Sequence, residues 1–112
     1  MAARKARNRI EVGSGNVFAD LGLPDAADLD TKVRLVVEIN RLFAHYHLSQ
    51  AAAASRLGVG QPKVSALKNY KLDGFSVERL MAFLTALGQD VEIRIRARGR
   101  TKAPGRVFVQ AA

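Results

Sequence analysis

Three residues, Gly58-Val59-Gly60, separate two stretches that each read as a short helix, Gln50 to Leu57 and Gln61 to about Asn69. No other feature restricts the fold as much. A helix arriving at Leu57 stops at Gly58, because glycine takes the left-handed cap conformation without a steric cost. A new helix starts at once, with Gly60 as its cap and Pro62 in the first turn, where a missing N–H removes no helical hydrogen bond. So short a connection makes the two helices cross closely, and Ala53, Ala54 and Gly58 are small enough to permit it, with Val59 plugging the corner. Alanines 51–54 are also simply good helix formers, which accounts for most of their presence. Val64 and Leu67, three apart, form the core side of the second helix. Gln61, Lys63, Ser65 and Lys68 are assigned to its other side.

The flanking sequence supplies a body for this pair. Leu35, Val36, Ile39, Leu42, Phe43 and Tyr46 recur as one face of a helix, predicted to begin near Asp28 and to end at Tyr46 or His47. Ser49 offers a cap for the helix at Gln50. Ser76 caps a further helix, with Phe75 and Leu80 at staple positions, a stripe of Val77, Leu80, Met81, Leu84 and Leu87, and Gly88 as its stop. The period then changes to two: Val91, Ile93 and Ile95 alternate with Glu92, Arg94 and Arg96. With Val107-Phe108-Val109 as a returning strand, residues 91–112 are expected as a β-strand or hairpin whose apolar face must be covered by the helices or by a second copy. Residues 1–15 read as a flexible basic arm, and residues 16–90 as the main domain. Within it, Val17, Phe18, Leu21 and Leu23 are anchors for a turn or short helix over 16–27. The expected class is mainly α.

Charge is distributed unevenly. The net charge of +8 comes from the ends: residues 1–9 carry four basic groups and no acid, and residues 92–112 carry six against Glu92 alone. Between them the balance is near neutral, yet Leu48–Lys71 holds Arg56, Lys63, Lys68 and Lys71 and no acid. A local cation face beside basic termini points to a polyanion, nucleic acid before an anionic membrane. The chain has no cysteine, which excludes disulfides, thiolate metal sites and thiol nucleophiles. No run is long enough to cross a bilayer and no signal-type apolar segment follows the basic start, so a cytoplasmic protein is expected. His45 and His47 lie two apart and point about 200° from one another on a helix, too far round to share a metal. Phosphate-loop, dinucleotide-fold and serine-hydrolase signatures are missing, so neither catalysis nor a cofactor is expected.

Leu48-Ser-Gln-x4-Ser-Arg-Leu-Gly-Val-Gly-Gln-x2-Val-Ser-x-Leu67 resembles the XRE/Cro-repressor family of helix-turn-helix domains. The segment from Gly74 through Phe75-Ser-Val-Glu-Arg-Leu-Met to Ile93 is similar to its HigA-type antitoxin branch. The match spans roughly residues 16–97. It implies a Cro/repressor-like helical bundle that binds double-stranded DNA as a homodimer, with the helix from Gln61 in the major groove. By position, Gln61, Lys63 and Ser65 would read bases. Ser49, Gln50, Lys68, Asn69 and Lys71 would meet phosphate, and Gln50 would also brace Gln61. The chemistry agrees, since Gln suits adenine N6 and N7, Lys suits guanine O6 and N7, and Ser suits either.

Three departures qualify the transfer. Pro62 and Ala66 stand where many relatives place polar base-reading groups, which shifts weight to shape or water-mediated readout. An Arg–Glu pair common between the first and third helices is replaced by Phe43 and Lys68. Tyr70 replaces a common glycine, and Asn69 is the expected left-handed residue. The resemblance implies a transcriptional repressor, and in the antitoxin branch an autoregulator with a toxin as second partner. The alternative is a protein-interaction module in which the same helices hold a partner and DNA binding is incidental. The Arg94, Arg96 and Arg98 row either touches DNA or only protects a strand edge.

Overall fold

The computed structural model describes residues 24–111, in which four helices are formed: α1 (Pro24–His45), α2 (Gln50–Leu57), α3 (Gln61–Lys68) and α4 (Val77–Ala86). The chain divides into two compact units, residues 1–30 and 31–112. Of the first, only the opening turns of α1 lie within the described residues. The expected basic arm and the anchors over 16–23 lie outside them.

α1 starts at Pro24, one turn before the expected Asp28. A proline at a first helical position has its φ already set and loses no hydrogen bond, so the helix begins at the residue that otherwise reads as a breaker. Leu35, Val36, Ile39, Leu42 and Phe43 are buried along it, whereas Tyr46 falls in the turn beyond and is exposed.

Each helix ends in the same way, with two backbone N–H groups returning to carbonyls of the last turn. After α1, His47 N donates to Ala44 O (3.1 Å) and Leu48 N to Phe43 O (2.9 Å). After α2, Gly58 N donates to Ser55 O (3.3 Å) and Val59 N to Ala54 O (3.0 Å). After α3, Tyr70 N donates to Leu67 O (3.2 Å) and Lys71 N to Ala66 O (2.9 Å), and after α4 Gly88 and Gln89 repeat the pattern. The motif needs a left-handed residue at its corner. Gly58 (φ 71°) and Gly88 (φ 85°) supply two, and His47 (φ 53°) and Tyr70 (φ 57°) take the other two positions despite their side chains. Asn69, expected to be the left-handed residue, has φ −99° and is the cap one place earlier.

The core is one cluster drawn from all four helices and from Leu72, Phe75 and Leu87. α2 packs on both α3 and α4. Ala53 is fully buried and Ala54 nearly so, as the close crossing at Gly58 requires. Val64 and Leu67 are fully buried on the inner side of α3, and Val59 is packed against the cluster from the corner. Ser76 Oγ accepts from Arg79 N (3.1 Å) to cap α4, and its staple residues Phe75 and Leu80 are both buried. Phe83, absent from the expected stripe, is buried edge-on to Phe75, with centroids 6.0 Å apart.

The C-terminal segment departs from expectation. No strand is formed among the described residues: Ile93 is 75% exposed and Ile95 91% exposed, and only Val91 and Val109 touch the core. An alternating pattern gives a strand only where another strand offers its backbone groups, and among the described residues nothing pairs with residues 91–97. A loop closed by Arg98 Nη1 donating to Pro104 O follows, instead of a hairpin turn.

Candidate nucleic-acid interface

α2, the three-residue turn and α3 present a surface whose side chains can be placed one by one. Ser49 caps α2, its Oγ accepting from Ala52 N at 3.1 Å. That bond uses an oxygen lone pair and leaves the hydroxyl hydrogen to be donated outward. Gln50 is the exposed first residue of α2. α3 starts beyond Gly60, which provides no side-chain cap, with Pro62 in the first turn.

At about 100° per residue, Gln61, Ser65 and Lys68 follow at i, i+4 and i+7 and share one edge of the exposed surface of α3. Lys63 projects about 200° from Gln61, toward the other edge. There its Nζ lies 5.2 Å from the Phe75 ring centroid, close to Gly74, where a Cβ would stand 3.4 Å from the ammonium. Opposite the buried Val64 and Leu67 stand the exposed Pro62 and Asn69, with Ala66 partly buried and packed against the core. The four residues assigned to one side of α3 are therefore divided between two edges, with Pro62, Ala66 and Asn69 between them.

Asn69 is also committed locally. Its Nδ2 donates to Ser65 O (2.9 Å) and lies 3.4 Å from Ser65 Oγ, so its side-chain donors serve its own helix. Lys68 and Lys71 are exposed. Arg56 is the fourth cation of the stretch, its guanidinium 5.7 Å from the Tyr46 ring centroid.

Asn40 links α1 to α3, its Nδ2 donating to Leu67 O at 3.1 Å. Its Oδ1 is buried without a hydrogen-bond partner. Asn40, Phe43, Lys68 and Tyr70 line one open cleft with His47 and Leu48. Asn40 was legible only as a polar residue beside the apolar stripe, four positions after Val36 and three before Phe43. His45 and His47 stand exposed at the end of α1. No metal-type cluster of His, Cys, Asp or Glu occurs among the described residues, and no described helix is long and apolar enough to cross a membrane.

Two short helices joined by a glycine corner, the second exposing cations and amides on a surface without acids, define a helix-turn-helix protein. A family model described as "Helix-turn-helix domain" matches residues 17–96. A solved structure described as "Putative XRE Family Transcriptional Regulator" is 60% identical, with a TM-score of 0.76, over 80% of this chain and 100% of that one. The chain belongs to the XRE-type helix-turn-helix family. No curated protein matches it.

Proposed function

We propose that the chain is a sequence-specific transcriptional repressor that binds operator DNA as a homodimer, one α3 in each of two successive major grooves. The observation that carries this reading is the acid-free surface of α2 and α3, with Gln61, Ser65 and Lys68 on one edge and Lys63 on the other. The description of its 60% identical relative as an XRE family regulator supports it. Gln61 and Ser65 meet base edges and Lys63 joins them by swinging off Phe75. Ser49, Gln50, Lys68 and Lys71 hold phosphates, the last two as point charges and Ser49 through its free hydroxyl hydrogen. Asn69 contributes by fixing the end of α3 more than by touching the backbone. With Pro62 and Ala66 between the edges, DNA shape and bridging water carry part of the specificity.

The regulator is further proposed as the antitoxin of a toxin–antitoxin pair that represses its own operon. Footprinting on the DNA upstream of its gene tests the first claim. Two protected half-sites about 34 Å apart, one helical turn, are expected, and protection independent of sequence would contradict it. Co-expression with the product of a short basic neighbouring reading frame tests the second. Relief of growth arrest is expected, and unrelieved arrest would remove the antitoxin role and leave the repressor.

A further inference from the structure

Residues 89–99 run without helix, turn or bend, and Gly99, at φ 100°, ends the run. Within it Val91, Ile93, Ile95 and Ala97 alternate with Asp90, Glu92, Arg94, Arg96 and Arg98. Val91 is packed against the core, yet Ile93 and Ile95, on the same side by a period of two, are the most exposed large apolar residues of the described chain. Two isoleucines in water beside a row of unpaired backbone groups are a template for another strand.

The charges say which strand. The acids occupy the N-terminal end of the run and the arginines the C-terminal end. A second copy lying parallel and in register would set arginine on arginine. Laid antiparallel it sets each acid on an arginine. Registers that differ by one residue turn apolar side chains onto the charged face and are excluded. Of the remainder, the one centred on Ile93 places Asp90 opposite Arg96, Glu92 opposite Arg94 and Val91 opposite Ile95, with Ile93 opposite itself and no like charges facing. It also carries Ile95 of each copy toward the partner's Val91, where the partner's core is. A two-stranded ribbon alone is marginal; here each strand is already anchored to a helical body by Val91.

We infer that residues 89–97 pair antiparallel with the same residues of a second copy, the two-fold axis passing at Ile93, and that this ribbon is the chain's dimer interface. The inference shares with the proposed function only the need for two copies and stands without DNA. Sedimentation of the full chain without DNA is expected to give twice the protomer mass of 12.2 kDa. Ile93→Asp, at an exposed position that leaves the helical circular dichroism unchanged, weakens association about a hundredfold. Arg94→Glu weakens it as well, and Glu92→Arg combined with Arg94→Glu restores it.

The chain has no cysteine, so single introduced thiols report register. Ile93→Cys crosslinks across the axis on oxidation, where facing Cβ atoms lie about 4.5–5.5 Å apart, and Ile95→Cys does not. A monomeric chain, a dimer indifferent to Ile93→Asp, or equal crosslinking of the two thiols would overturn the inference. None of these outcomes bears on whether α3 reads DNA, which footprinting decides separately.

Discussion

At the scale of single residues, the same corner conformation is built from glycine twice and from larger residues twice. Gly58 and Gly88 adopt it without steric cost, and His47 and Tyr70 adopt it against a penalty of about 1–2 kcal/mol. Nothing stands within 4 Å of a Cβ built at Gly58, so Gly58→Ala is a purely backbone perturbation. It is expected to cost about 1–2 kcal/mol. Tyr70→Gly relieves the penalty but loosens the unfolded chain, for a net gain of about 0.5–1 kcal/mol. Urea denaturation of both variants checks the pair, and a stabilised Gly58→Ala would show that the corner is not held left-handed. The alternation of glycine and non-glycine corners was not legible in the sequence. Asn69 is chemically the better left-handed residue, yet its amide reaches back to Ser65 and leaves the corner to Tyr70. The direction of Lys63 was hidden for a similar reason, since Phe75 attracts it from a segment twelve residues further along the chain.

At the scale of elements, the helices with explicit start and stop residues were legible to within a residue. Ser49, Gly58, Gly60, Ser76 and Gly88 act locally, so their meaning does not depend on the rest of the fold. The start of α1 is not legible in the sequence, because Pro24 marks a helix beginning and a helix break equally well. Residues 91–97 were legible as a pattern but not as a structure, because a strand's hydrogen bonds belong to its neighbour. Ser49 separates local from functional roles in one residue. Ser49→Asp preserves the cap, because a carboxylate accepts from Ala52 N as the hydroxyl does, and it places a negative charge where phosphate is proposed. Stability is expected to hold within about 0.5 kcal/mol, while DNA affinity falls at least about tenfold. Unchanged affinity would confine Ser49 to capping.

At the scale of the whole molecule, the proposed function divides the work between the net charge of +8, which would draw the chain to DNA, and the donors of α3, which would choose where it binds. Each phosphate neutralised by a lysine contributes about one unit to the slope of log affinity against log salt. Lys68→Ala is expected to flatten that slope by about one for each half-site while weakening all sequences alike. Gln61→Ala should instead leave the slope unchanged and weaken the operator alone. The central claim is that α3 reads sequence. The measurement that tests it most directly is the affinity ratio between the upstream operator and a scrambled duplex at fixed salt, for the native chain and for Gln61→Ala combined with Lys63→Ala. The native chain is expected to prefer the operator by about a thousandfold or more, and the double variant to lose most of that preference while keeping its affinity for the scrambled duplex within about tenfold. An undiminished preference in the double variant would contradict the account.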